Sequence, residues 1–160
     1  MTTDPLRLGI AGLGTVGAGV LKMIYKNAAL IELRTGRNII VTAVSAQSRN
    51  KDRGVDLSGF AWEDDPVALA KRNDVDVFVE LMGGSDGPAK DAAEAAIAAG
   101  KDVVTANKAM LAIPGQSLAL AAEAAGRVIR FEAAGAGRIP VCTAFAAGLA
   151  VTEMTRIVGV

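Results

Sequence analysis

The chain has 160 residues in which 17 basic side chains balance 17 acidic ones, with no block of like charge. That balance excludes the basic surface that nucleic acid or an anionic membrane would need as a partner. Histidine is absent and cysteine occurs once, at Cys142, which excludes a Ser-His-Asp triad, a Cys-His pair, a His-ligated metal site and an intrachain disulfide, and makes a cytoplasmic setting the default.

The N-terminus, Met1-Thr2-Thr3-Asp4-Pro5, lacks a signal-peptide layout, and no apolar run is long enough to span a bilayer. Leu6 to Ala11 is a short apolar strand that leads straight into glycines. Thr15 to Leu33 then shows helical spacing, with Val16, Val20, Met23, Ile24 and Ile31 as the expected buried stripe. Arg34 to Asn38 breaks the helix, and Ile39 to Val44 reads as a β-branched strand covered on both faces. Ser45 to Gly59 is too polar to be core. Pro66 suits the first position of a short helix running to about Arg72, with Asp64 or Asp65 as its cap.

Val75 to Leu81 is the next strand, ending in Gly83-Gly84, and Pro88 to Ala99 is an alanine-rich helix closed by Gly100. Asp102 to Thr105 is a strand, Asn107 opens a helix, and Ser117 to Ala125 is helical up to Gly126. Arg127 to Glu132 and Thr155 to Val160 read as further strands. Strand and helix alternate with short connections, which predicts a Rossmann-type α/β fold: a doubly wound parallel sheet in a single domain over residues 1–160. Aromatic residues make up only 4% of the chain, so its core must be aliphatic and rich in alanine, which lets helices lie close to the sheet.

Within this pattern Gly12-Leu13-Gly14-Thr15-Val16-Gly17 follows a strand and opens a helix, the context in which G-x-G-x-x-G holds a dinucleotide. Gly12 permits the sharp turn, Gly14 leaves room for the pyrophosphate, and Gly17 lets helix and strand pack closely. The helix N-terminus offers unpaired N–H groups and partial positive charge to the anion. An acidic residue at the end of the second strand would favour NAD. Here that strand runs into Ser45-Ala46-Gln47-Ser48-Arg49, with Lys51 and Arg53 beyond, so Ser45 and Arg49 are candidate ribose and phosphate contacts and the reading leans to NADP over NAD. Arg49 and Lys51 are equally what a solvated loop would carry.

Four segments together resemble homoserine dehydrogenase: Leu8 to Gly17, Val79-Glu80-Leu81-Met82-Gly83-Gly84, Thr105-Ala106-Asn107-Lys108, and Phe131-Glu132-Ala133-Ala134 with Ile139-Pro140. Glu-Leu-Met-Gly-Gly and Thr-Ala-Asn-Lys are the more specific pair, and the resemblance covers nearly all of the chain, fading after Ile113. It implies an oxidoreductase interconverting homoserine and aspartate-4-semialdehyde with NAD(P), on the route to threonine and methionine. It places Gly83 and Gly84 under the nicotinamide, adds Thr105, Asn107 and Lys108 to the cofactor contacts, and puts Lys108 at the hydride-transfer site. Oxidising an alcohol removes a proton from oxygen as hydride leaves carbon, and a lysine there could relay that proton; without the resemblance, Lys108 reads as a solvated surface residue. Glu132 matches a glutamate near which family members bind a monovalent cation, or it is simply a helix cap, and no metal ligand is assigned here.

The sequence departs from the family at Ala112-Ile113-Pro114-Gly115, where a histidine-containing stretch is common, and at Arg138 in the later glycine-rich loop. Family members also continue past the position of Val160 into a domain that binds homoserine and forms the dimer. The resemblance therefore implies either a cofactor domain that needs such a partner domain for turnover or a module that binds NAD(P) without turnover. Val141, Phe145, Leu149 and Val151 would then form an exposed apolar patch open to self-association, or a last helix packed on the sheet.

Overall fold

Aliphatic and β-branched runs placed ahead of glycine turns become the inner strands of one parallel sheet. The computed structural model of the chain describes residues 4–135. In it β1 (Leu6–Ala11) is followed by helices α1 (Thr15–Lys26) and α2 (Ala28–Thr35), then β2 (Ile39–Ser45) and β3 (Ala61–Glu63). Helix α3 (Pro66–Lys71) leads to β4 (Val77–Glu80), and α4 (Pro88–Ala98) leads to β5 (Asp102–Thr105). Helices α5 (Lys108–Ala112) and α6 (Gly115–Ala124) precede β6 (Ile129–Arg130) and a last turn, α7 (Glu132–Gly135). The strands lie in the order β3-β2-β1-β4-β5-β6 and every neighbouring pair is parallel. The chain moves outward one way from β1 and then the other way from β4, so the topological switch falls between these two strands.

Two aliphatic layers hold the sheet. On one face Phe78, Val103 and Leu69 pack with the alanine row Ala89, Ala92, Ala93 and Ala96 of α4. On the other face Ile10, Val41, Val44 and Val79 pack with Leu21 and Ile24 of α1. The predicted aliphatic, alanine-rich core is therefore present, and each fully buried Leu or Ile contributes roughly 1.5–3 kcal/mol of transfer free energy. At the β1–β4 junction Asp76 accepts three hydrogen bonds from Arg7: from its backbone N–H (2.9 Å), from Nε (3.0 Å) and from Nη2 (2.6 Å). Lys101 is 7% exposed, and its ammonium donates to the carbonyls of Arg72 (2.7 Å) and Val75 (2.9 Å), while desolvation holds its pKa below the ordinary lysine value.

Hydrogen bonding to Arg7 lowers the Asp76 pKa against the opposing effect of burial. A carboxyl whose folded pKa is depressed adds stability that is present above its unfolded pKa, about 4, and is lost as pH falls through the folded value. The urea midpoint should hold above pH ~5 and drop below pH ~4, and Asp76→Asn should flatten that drop. A variant whose acid limb is as steep as that of the unaltered chain would show that this pair does not couple to folding.

Several expectations need correction. The single helix expected over Thr15 to Leu33 is broken at Asn27 (φ −113°, ψ 16°), whose side-chain N–H donates to the Met23 carbonyl at 2.9 Å. Asparagine competes with the helix backbone for such bonds and ends helices this way. Val16 and Met23, expected in the buried stripe, are 58% and 49% exposed, whereas Ile24 is buried as expected and Val20 packs half-buried on the core; Gly17, Ala18 and Leu21 complete the packed face. Strand β3 has no signature in the sequence, because a three-residue edge strand paired only to β2 carries no alternating pattern. The strand expected over Arg127 to Glu132 shortens to two residues, and Glu132 begins a helical turn. Arg138, Ile139, Pro140, Cys142, the apolar candidates Val141, Phe145, Leu149 and Val151, and the expected strand Thr155 to Val160 lie outside the described residues.

Candidate functional site

The turn from β1 into α1 is built on glycine geometry. Gly12 has φ +97°, and a Cβ there would sit 2.5 Å from the backbone of Leu81, just past β4. A Cβ on Gly17 would collide with the Gly12 carbonyl oxygen, so the helix seats on the turn only because position 17 has no side chain. Gly14 differs, because nothing lies within 4 Å of where its Cβ would be. That position borders open space, as the approach of a diphosphate to the backbone requires. Gly14 is also the N-cap of α1, with no side-chain cap and no acidic residue in the first turn. The first N–H groups of the helix thus face the opening without an internal acidic competitor.

That opening is a cleft of about 560 Å³ at the C-terminal ends of the strands, over the β1–β4 switch. Gly12, Leu13 and Gly14 form its floor; Ser45, Ser48, Lys51 and Arg53 form one end; Leu81, Met82 and Gly83 form the other. Pro88 and Ala89 of α4 close that second end. No acidic side chain stands at the end of β2, where Ser45 is buried. The one carboxylate lining the cleft, Asp64, lies just past β3 and accepts a hydrogen bond from Trp62 Nε1 at 2.7 Å.

Arg53 anchors the loop between β2 and β3. Its Nε donates to the Leu13 carbonyl (3.0 Å), Nη1 to that of Lys51 (2.7 Å) and Nη2 to that of Ser48 (2.6 Å). Its guanidinium carbon lies 5.8 Å from the Trp62 ring centroid, as does that of Arg49. Such guanidinium–indole pairs are attractive through the ring quadrupole. Arg49 is thus placed on Trp62 rather than among the residues lining the cleft, whereas Lys51 and Arg53 line it. The local sequence points to Arg49 and carries no sign of the ring contact, since nothing local links residue 62 to residues 49 and 53.

At the other end the loop after β4 takes two positive-φ glycines in succession, Gly83 (+91°) and Gly84 (+92°). The Glu80 carboxylate lies beneath this loop, fully buried. Its Oε1 accepts from the backbone N–H of Met82 (2.7 Å) and Gly83 (3.2 Å), and its Oε2 accepts from Thr105 Oγ1 (2.6 Å). Thr105 Oγ1 accepts in turn from Asn107 N–H (3.0 Å). Asn107 Nδ2 donates to the Gly84 carbonyl (2.6 Å), and its Oδ1 caps α5 by accepting from Met110 N–H (3.1 Å). Lys108 is exposed at the first position of α5, one residue beyond that anchor.

The candidate residues therefore divide by environment. Gly12, Leu13, Gly14, Ser45 and Gly83 line the cleft, and Thr15 and Val16 are exposed on the first turn of α1. Gly17 is buried under the turn, and Thr105 and Asn107 are buried with their side chains committed to internal bonds. Among the described residues no helix is long and apolar enough to cross a membrane.

A parallel sheet of order 3-2-1-4-5-6, a glycine turn under a helix N-terminus and a cleft over the switch point together define a dinucleotide-binding domain of the doubly wound class. The family model described as the NAD-binding domain of homoserine dehydrogenase matches residues 12–132, and the chain belongs to that family. The homoserine dehydrogenase of Neisseria gonorrhoeae is 43% identical over 156 residues, which is 98% of this chain and 35% of the relative. That of Pseudomonas aeruginosa is 38% identical over the same shares. Among solved structures, a homoserine dehydrogenase from Thiobacillus denitrificans aligns with TM-score 0.84 at 38% identity, covering 93% of this chain and 34% of that one. One from S. aureus aligns with TM-score 0.75 at 32% identity, covering 82% and 34%. The chain spans about a third of the length of the relatives it matches.

Proposed function

We propose that residues 1–160 are the NAD(P)-binding part of a homoserine dehydrogenase, an oxidoreductase interconverting homoserine and aspartate-4-semialdehyde. The observation that carries this reading is the open cleft over Gly14, with the uncapped N-terminus of α1 at its floor and basic side chains at one end. In this reading the dinucleotide lies across the switch point, its pyrophosphate on the first N–H groups of α1, its adenosine end towards Ser45 and Lys51, and its nicotinamide end over Gly83 and Gly84. When bound, the cofactor supplies the hydride acceptor or donor. The chain's own residues bind it, orient it and handle the proton. Lys108, at the start of α5 beside the Gly84–Asn107 bond, is the residue for that proton.

The same cleft favours NADP over NAD in this reading, because Ser45 ends β2 where a carboxylate would repel a second phosphate and Lys51 and Arg53 stand nearby. Homoserine binding belongs to polypeptide beyond these residues. The test pairs fluorescence titration of NADPH and NADH with an assay of homoserine oxidation by full-length protein, in which these residues are joined to the polypeptide that binds homoserine. Lys108→Ala should leave cofactor affinity unchanged and lower kcat by about 100-fold or more. Wild-type protein that binds neither dinucleotide would sink the reading outright.

A further inference from the structure

The buried Glu80 carboxylate does more than the core requires. Its neighbours on β4, Phe78 and Val79, are apolar and packed, and a carboxylate taken out of water is costly unless its oxygens are fully bonded. Those bonds run to the rim and not to the core. Two go to backbone N–H groups of the loop at Met82 and Gly83, and one goes to Thr105 on the adjacent strand. The strand register places Glu80 directly beside Thr105, so this link needs no intervening side chain. Through Thr105 and Asn107 the network closes on the Gly84 carbonyl and on the first turn of α5. The loop glycines and the residue preceding Lys108 are thereby tied to one carboxylate, while the Ser45–Lys51–Arg53 end of the cleft makes no hydrogen bond to it.

We propose that Glu80 is a positioning residue that sets the Gly83–Gly84 loop against the N-terminus of α5, and so fixes the nicotinamide end of the cleft relative to Lys108 without touching the ligand. The inference rests on the dinucleotide reading given above. It requires the two ends of the cleft to respond differently when the carboxylate is altered. A merely structural buried glutamate would weaken both ends together.

The experiment uses the full chain with ADP-ribose, which lacks nicotinamide, beside whichever of NADH and NADPH binds more tightly. Glu80→Ala leaves three donors, among them the buried Thr105 hydroxyl, without their acceptor and should weaken the complete cofactor by about tenfold or more. ADP-ribose affinity should stay within about twofold, since its contacts lie at the other end. Glu80→Gln keeps a carbonyl oxygen for the Met82 and Gly83 N–H groups and should recover most of the loss. If Glu80→Ala does not fold, the near-isosteric Thr105→Val removes one of the same bonds and should show the same split at smaller size. Parallel loss of both ligands, or unchanged binding of the full cofactor, would overturn the proposal while leaving the cleft assignment intact. Wild-type protein that binds neither ligand would overturn both.

Discussion

Gly17→Ala should unfold the glycine turn, costing about 3–5 kcal/mol of stability and all measurable cofactor binding. A Cβ at position 17 overlaps the Gly12 carbonyl oxygen, which is backbone and cannot swing aside. Moving it would disturb the hydrogen bond from Gly12 N–H to the Ser45 carbonyl (2.8 Å) and the contact of Gly12 with Leu81. Either helix α1 lifts from the sheet, opening the layer around Leu21 and Ile24, or the turn unwinds. Gly14→Ala separates folding from binding. Its φ is −72°, which alanine accepts, and nothing crowds the added methyl. Its cost to stability should be only a few tenths of a kcal/mol to about 1 kcal/mol, yet a methyl there stands in the path of a diphosphate and should weaken cofactor binding by tenfold or more. Urea midpoints and nicotinamide fluorescence on both variants check the pair. A Gly14→Ala protein that binds normally would place the pyrophosphate elsewhere.

That turn was legible in the sequence because its constraints are local. Positive φ, close approach and a helix start all fall within six residues, and each selects glycine for a separate reason. The inner strands and the alanine face of α4 were legible for the same cause: periodicity and stop glycines are properties of neighbouring residues. What escaped reading depends on register and on loops folding back. Glu80 meets Thr105 only because β4 and β5 pair in parallel with those two residues opposite. Arg53 reaches Leu13, and Trp62 lies by two arginines, only once an edge strand is in place to carry the ring. Thr105 and Asn107 belonged to the right motif, but their place in it is internal: their polar atoms build the rim rather than face the cleft. The motif residues therefore gather around the cleft, and the motif itself does not distinguish those that line it from those that hold the lining in place.

The basic end of the cleft gives the sharpest case of that distinction. Arg53→Ala should weaken NADPH binding by about 100-fold and NADH binding by about tenfold. A guanidinium carries five N–H donors, of which Arg53 spends three on the carbonyls of Leu13, Lys51 and Ser48. The shared part of the loss comes from those three. They pin the loop after β2 to the glycine turn, and without them both the loop and Leu13 lose a fixed partner whichever dinucleotide is bound. The extra loss with NADPH comes from the guanidinium charge and its two remaining donors, at a cleft end that Arg53 and Lys51 line together. Arg53→Lys keeps charge but not the planar fork, so it should recover part of the NADPH preference and little of the shared affinity. Arg49→Ala removes only a stacking contact on Trp62 and should change both affinities by no more than about threefold. Titrations at two salt concentrations check the charge component, because the NADPH excess should shrink as screening rises. A larger NADPH penalty from Arg49→Ala than from Arg53→Ala would reverse the assignment, and equal penalties for the two cofactors in Arg53→Ala would remove the structural reason for preferring NADP.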